Sequence, residues 1–268
     1  MDASIVVVGD EILSGHVHDA NTYFVASRLA ALGHKLRRAV VVPDKPEEIA
    51  EALQRELAER RDIVFVCGGL GPTHDDRTME GVALALGRQL EPCAALAERI
   101  DIIAEHVRMQ NFDGDPLGVA TLQKMALAPA GAEALTSSAW FIPAVWLREG
   151  DSTIVILPGP PRELQVVFRD AVEPKFLEGS GAIVWREEIE HHFPESALAS
   201  ALNELERDFP GVQIGSYPVE DRVLIRLAGD EGEVREVAKR VHSAIESLAA
   251  SDDGKRLLEF MNSRRKDR

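Results

Sequence analysis

Residues 63–78 read IVFVCGGLGPTHDDRT. Five apolar, largely β-branched residues, Ile63 to Cys67, run straight into Gly68, Gly69, Gly71 and Pro72, and then into the paired acids Asp75 and Asp76. A short continuous apolar run closed by turn residues reads as a strand buried on both faces, the habit of parallel sheets. Glycines let a backbone approach an anion closely, and a helix starting near Thr78 would aim its free N–H groups at one. The stretch therefore reads as a phosphate cradle or as plain turn chemistry. Neither the GxxxxGKS/T nor the GxGxxG spacing is present to decide between them.

Working outward, three more runs have the same character: Ser4 to Val8, Arg38 to Val42 and Thr153 to Leu157, each followed by Gly, Pro or Asp. Between them lie stretches of helical period. Asn21 to Leu32 is stopped by Gly33, and Ile49, Leu53 and Leu57 repeat behind Pro46, a residue suited to a helix's first turn. Pro92 to Gln110 reads as a further helix, and Asn111 to Pro116 as a loop. After the strand at 153–157 comes LPGPPREL and a helix ending near Phe176-Leu177. Strands alternating with helices predict βαβ units, hence a three-layer α/β domain with a mostly parallel sheet over residues 1–177.

Gly179-Ser180-Gly181 breaks the pattern and marks a domain boundary. Residues 182–250 then read β-α-β-β-α, a small α+β domain. Its strands are expected around Ile183 to Ile189, Val212 to Ser216 and Arg222 to Leu227, and its helices carry Leu198, Leu202 and Leu205, and Val234, Val237 and Val241. Residues 251–268 are expected to be a solvated C-terminal tail.

The chain has 268 residues, 45% hydrophobic and 28% charged, with a formal net charge of −15. That balance predicts a folded protein and argues against non-specific binding to nucleic acid or to anionic membranes, both of which need basic surface. Cys67 and Cys93 show no metal or redox spacing and read as packing residues. No apolar run approaches the roughly 20 residues that cross a bilayer, and the opening MDASIVVVGDE lacks a basic leader, so a cytoplasmic protein is expected.

In an open α/β sheet, ligands bind at the carboxyl ends of the strands. Those ends hold Gly9-Asp10-Glu11, Pro43-Asp44, the Gly68 to Asp76 loop, and Pro158-Gly159-Pro160-Pro161-Arg162-Glu163. Paired acids at a helix start serve as caps, but a cap needs only one of them. Asp75 and Asp76, with Asp44 and Asp10 or Glu11, carry the hard oxygens that a divalent cation prefers, and such a cation would reconcile an acidic pocket with a phosphate-bearing ligand. His16 and His18 read as solvated loop residues, and His191-His192, adjacent on a strand, face opposite sides and cannot share a metal. Arg162 reads equally as a phosphate clamp or as a surface ion-pair partner.

Taken together, Gly9-Asp10-Glu11-Ile12-Leu13-Ser14-Gly15 with Asp19 and Asn21, the Gly68 to Thr73 loop with Asp75, Asp76 and Thr78, Lys124-Met125-Ala126, and Leu157-Pro158-Gly159 with Glu163 resemble the N-terminal part of the CinA (competence/damage-inducible) family. The resemblance spans roughly residues 1–175 and implies a molybdopterin-binding fold of the MoaB and Mog kind. It implies a pocket for an adenine-containing pyrophosphate or a pterin, with Gly9, Asp10, Glu11, Asn21, Gly68, Gly69, Leu70, Gly71, Pro72, Thr73, Thr78, Pro158 and Gly159 as binding residues. It also implies metal-dependent hydrolysis of ADP-ribose or FAD, with Asp76 and Asp44 in the metal-assisted chemistry; beside them, Asp75 reads as a further ligand of a Mg²⁺-like ion and Glu163 or Glu11 as the residue that orients the water. The chain stops short of any counterpart of the family's amidase domain, so amidase activity is not expected. Where relatives carry glycines, this sequence has Trp140 and Ala144, which keeps open a second reading as a non-catalytic pterin- or nucleotide-binding protein. A third is an interaction subunit, since sheet domains of this kind commonly form homo-oligomers.

Overall fold

The computed structural model of the chain describes residues 1–109, 119–135, 143–182 and 184–266. The expected loop at 111–116 and Trp140 fall outside those residues. The chain divides into two compact units, Met1–Ala182 and Ile183–Arg268.

In the first unit the strands are β1 (Asp2–Val8), β2 (Lys35–Val42), β3 (Ile63–Cys67), β4 (Leu90–Pro92), β5 (Leu127–Pro129), β6 (Glu133–Leu135), β7 (Ala144–Glu149) and β8 (Ser152–Leu157). The helices are α1 (Asp10–Leu13), α2 (Ala20–Ala31), α3 (Pro46–Ala58), α4 (Thr78–Leu86), α5 (Ala94–Met109), α6 (Val119–Leu122) and α7 (Pro161–Val167). Six strands form one sheet in the order β2-β1-β3-β8-β7-β6. β2, β1, β3 and β8 are mutually parallel, while β7 and β6 add an antiparallel margin. The four parallel strands are those expected from their apolar runs. The β7–β8 hairpin closes on Gly150-Asp151, with Gly150 at φ 56, the left-handed geometry that a two-residue turn requires.

Each parallel strand alternates its side chains between two helical layers. Ile5, Val7, Phe65 and Val155 pack with Phe24, Val25, Leu29, Leu164 and Phe168 on one side. Val6, Val64, Val66 and Ile154 pack with Ile49, Leu53, Val82, Leu96 and Ile100 on the other. Phe168 anchors the first layer, with its ring 5.3 Å from Phe65 and 5.6 Å from Phe24. It opens a π-helical stretch, Phe168–Leu177, that contains Pro174. Proline has no N–H to give to the ladder, and the wider winding closes with Glu178 N donating to Glu173 O at 2.9 Å, five residues back. Glu173 itself holds Arg28 through two contacts of 2.7 Å, tying this stretch to α2.

A second buried acid, Glu56 of α3, is 1% exposed and lies 3.1 Å from Arg38 Nε and 3.4 Å from Arg61 Nε. It joins α3 to β2 and to the turn before β3.

The second unit contains β9 (Trp185–His191), α8 (Ala199–Asp208), β10 (Gln213–Val219), β11 (Arg222–Gly229), α9 (Glu231–Ala250) and α10 (Asp252–Lys266). Its antiparallel sheet runs β10-β11-β9, and Ile189, Ile225 and Leu227 pack against Leu202, Leu205, Val234, Val237 and Val241. The expected β-α-β-β-α order is present. Residues 252–266, within the expected solvated tail, form α10, whose first turn carries Asp252 and Asp253. His191 and His192 face opposite sides, with His191 3% exposed and His192 half-exposed. Among the described residues, no helix is long and apolar enough to cross a membrane.

Two outcomes are expected from this packing. Glu56→Gln, which keeps the side-chain volume but removes the charge held by two arginines, lowers stability by about 2 kcal/mol in urea titration. Burial pushes the His191 imidazole below its ordinary value of 6.5, with the charge of His192 acting in the same direction. The unfolded chain then binds that proton more tightly, so the second unit loses stability as pH falls below about 6.5. Calorimetric unfolding at about pH 7.5 and 5.5 shows this loss, and His191→Leu reduces it.

Candidate functional site

β1, β3 and β8 point their carboxyl ends at one cavity of about 530 Å³, within the range typical of small-ligand sites. Its floor is made by Val7, Val8 and Cys67, the last strand residues before the loops. Cys67 is a free, fully buried thiol, and burial raises its pKa well above the ordinary range.

The glycine turn is fixed by lack of space. Gly68 sits at φ 101, and a Cβ there would lie 2.2 Å from Val8 O; Gly69 sits at φ 58, and a Cβ there would lie 2.6 Å from Thr78 Oγ1. Gly159, just after β8, makes a looser but still tight approach, its Cβ position being 3.2 Å from Gly68 Cα. Thr78, wholly buried, donates from its hydroxyl to Gly68 O at 2.7 Å and from its backbone to Gly69 O at 3.1 Å. Thr78, expected among the ligand contacts, thus bonds to the turn and is not among the residues lining the cavity. Asn21, at the start of α2, donates to Gly159 O at 2.8 Å and binds the third loop to the others.

Of the residues expected at the site, Glu11, Asn21, Gly68, Gly69, Leu70, Gly71, Pro72, Asp76, Pro158, Gly159 and Glu163 line the cavity. Gly9, Asp10, Asp44, Thr73 and Asp75 do not. Gly9 N donates to Val42 O at 3.1 Å, which continues the β1–β2 ladder by one residue. Asp44 lies one layer out: its Oδ2 accepts from Asp10 N at 2.8 Å, and its Oδ1 would stand 3.3 Å from a Cβ on Gly69. Thr73 and Asp75 are exposed, and the Thr73 hydroxyl touches both Asp75 Oδ1 and Asp76 Oδ2. Asp76 Oδ2 also accepts from Thr73 N at 2.9 Å.

The electrostatics are one-sided. Glu11, Asp19, Asp76 and Glu163 line the cavity, and among the described residues no lysine or arginine does. Burial raises the Asp44 carboxyl above its usual value, and the charges of Glu11, Asp10 and Asp75 push it further in the same direction. Burial alone raises Glu163. Exposed Asp75 is lowered, first by the Thr73 hydroxyl. Every candidate ion ligand here is a hard carboxylate oxygen. Among the described residues, however, no three His, Cys, Asp or Glu side chains come together as an ion-holding group. Hard carboxylate oxygens are the protein ligands that a Mg²⁺-class ion takes, usually one or two of them beside water and phosphate oxygens.

Several lining residues were not among the expected binding residues, although Ile12, Asp19 and Met125 stand in the motifs that carry the family resemblance. Ile12, Val17 and His18 come from the segment after β1, and Met125 comes from the 3-10 turn Gln123–Ala126. Asp19 also caps α2, accepting from Asn21 N and Thr22 N at 3.0 Å. His18, read as a solvated loop residue, is exposed and does line the cavity. Arg162 is exposed and does not. Ala144 is fully buried in β7 among the core residues and is not part of the cavity lining.

Comparison with known proteins agrees with this geometry. Residues 4–178 match the family described as the probable molybdopterin binding domain, and residues 184–252 match the middle domain of FAD synthase. A protein of Thermococcus kodakarensis is 36% identical over 246 residues, covering 91% of this chain and 97% of that protein. A CinA-like protein of a Mycobacterium strain is 38% identical over 219 residues, covering 78% of this chain and 50% of that longer relative. The crystal structure of CinA from Thermoplasma acidophilum, titled as of unknown function, superposes with a TM-score of 0.56 at 30% identity, covering 66% of this chain and 99% of that one. Fold, glycine turn and relatives coincide: the chain belongs to the molybdopterin-binding-domain family as a CinA-like protein.

Proposed function

We propose that this protein is a hydrolase that cleaves the pyrophosphate of a dinucleotide or nucleotide-sugar, with ADP-ribose or FAD as the substrate class, in the presence of a divalent cation. The observation that carries this reading is a cavity lined by four carboxylates and, among the described residues, by no lysine or arginine, set against a glycine turn. A polyphosphate enters such a cavity only with a cation beside it, and a cation bound there gains from a polyphosphate. The FAD synthase middle-domain match over residues 184–252 supports a nucleotide as the ligand. Val7, Val8, Ile12, Leu70 and Met125 give the cavity the apolar area that a flat ring system buries against.

Asp76 from the cavity wall and Asp44 from beneath Gly69 are the residues that would hold a Mg²⁺-class ion, which when bound would offset phosphate charge. The glycine turn lets the phosphates approach the backbone without a side chain in the way. Glu163 accepts a proton from the attacking water. The water oxygen bonds to one phosphorus, the bridging P–O bond breaks, and the other phosphate leaves with the electron pair. Burial suits Glu163 to this role, because a raised proton affinity makes it a better base than a solvated carboxylate. Among the described residues no three His, Cys, Asp or Glu side chains form an ion-holding group, and a second reading is a nucleotide- or pterin-binding protein without turnover. Titration calorimetry with ADP-ribose and FAD, showing binding but no AMP release, would select it.

The hydrolytic reading yields two outcomes. Incubation with ADP-ribose or FAD releases AMP with Mg²⁺ or Mn²⁺ and none with chelator, and Asp76→Asn cuts kcat by at least about 100-fold while the unfolding temperature stays close to wild type. Loss of the fold in that variant would instead make Asp76 a holder of the turn. The pH–rate profile has an acid limb above the ordinary glutamate value of 4.5, since activity falls as pH drops through the raised Glu163 pKa. Glu163→Gln removes that limb along with most of the rate; an unchanged limb would exclude Glu163 as the base.

A further inference from the structure

Lys124 belongs to neither the floor nor the wall of the main cavity, yet it is bonded into the turn that carries Asp76. It enters from the 3-10 turn Gln123–Ala126, next to Met125, which does line the cavity. Its Nζ donates to Thr73 O at 2.9 Å and to Asp76 O at 2.5 Å, the carbonyls at the two ends of the Thr73–Asp76 turn. The same turn is closed from within: Thr73 N donates to Asp76 Oδ2 at 2.9 Å, and Asp76 N donates to Thr73 O at 3.3 Å. One ammonium thus draws together two carbonyl oxygens that would otherwise repel each other. A charged donor makes stronger hydrogen bonds than a neutral one. On the far side of the glycine turn is a second, smaller pocket of about 60 Å³, lined by Gly69, Gly71, Asp76 and Lys124 among others. Among the described residues, Lys124 is the only lysine or arginine lining either this pocket or the main cavity. Its head group is already committed to backbone oxygens, so it serves the turn and leaves the cavity without a cation of its own.

We propose that Lys124 is a positioning residue for Asp76: by clamping the Thr73 and Asp76 carbonyls it fixes the turn so that the Asp76 carboxylate stays at the cavity wall. The clamp is a property of the turn and holds whatever the ligand is; its consequence for turnover rests on the hydrolytic reading above. A purely stabilising lysine would contribute to the unit as a whole, whereas a positioning lysine acts on a few residues and on the chemical step. Lys124→Met removes the donor and keeps most of the length, and Lys124→Arg restores a cationic donor.

The test uses the full chain and two readouts, amide hydrogen exchange and steady-state kinetics with ADP-ribose and Mg²⁺. In Lys124→Met the Thr73 and Asp76 amides are expected to exchange at least about tenfold faster, with protection elsewhere in the first unit retained, and Lys124→Arg is expected to bring them back to within about threefold of wild type. In the same variant kcat is expected to fall at least about tenfold with KM changed less than about threefold, again recovered by arginine. Unchanged exchange at Thr73 and Asp76 overturns the proposal, as does loss of protection spread over the whole unit, and as does a raised KM with kcat intact. If the wild-type protein releases no AMP, the hydrolytic reading fails by itself, and the exchange measurement alone decides whether Lys124 positions the turn.

Discussion

At the head of β3 three backbones meet with no room for a side chain. Gly68 passes beneath Val8 O with only 2.2 Å available to a Cβ, and Gly159 presses on the Gly68 Cα from the opposite strand. The buried Thr78 hydroxyl fastens the same point to α4. This crowding brings the ends of β1, β3 and β8 close enough to share one cavity. The apolar runs of the sheet set where the strands lie, and the absent side chains set how near their ends come. A methyl group at Gly68 would force β3 away from β1 and open the floor of the cavity.

The acidity of the site follows from this convergence. Each strand end delivers its own carboxylate: Glu11 follows β1, Asp76 follows β3 and Glu163 follows β8. None is adjacent to another in sequence, and only the shared sheet makes them neighbours. Asp44, after β2, is held slightly apart by its bond to Asp10 N. It nonetheless feels the same crowd of charge, which raises its proton affinity in addition to the effect of burial. A cavity of this sign discriminates by what accompanies a ligand as much as by the ligand's shape.

The parts of the fold visible in the sequence are those written in short range. Ile63 to Cys67 and Ile154 to Leu157 are apolar throughout because helices cover both of their faces, and such runs stand out in any reading. The glycine turn was equally visible, since few other contexts demand three glycines and a proline in five residues. The antiparallel margin was not, although Gly150-Asp151 is a recognisable hairpin turn; its strand β7 interleaves Trp146 and Arg148 with buried Val145 and Leu147 and competes poorly for attention. α10 was missed because its mean hydropathy is low and its only strong signal is the acid pair at its start. In the site, Met125 and Lys124 arrive from about fifty residues beyond the turn they touch, and no local pattern encodes a contact of that span. Thr78 shows the converse, for a hydroxyl beside a glycine loop invites a ligand role, while here the buried hydroxyl donates to the backbone of that loop.

The two sulfhydryls of the first unit differ sharply in their surroundings. Cys93 is only partly covered, whereas Cys67 is sealed beneath the cavity and its burial disfavours the thiolate. Alkylating reagents attack the thiolate. The molecule therefore carries its own opening gauge: modification of Cys93 reports the intact surface, and modification of Cys67 is deferred until the sheet parts at the carboxyl ends of its strands, so the lag between the two measures how firmly that end stays shut.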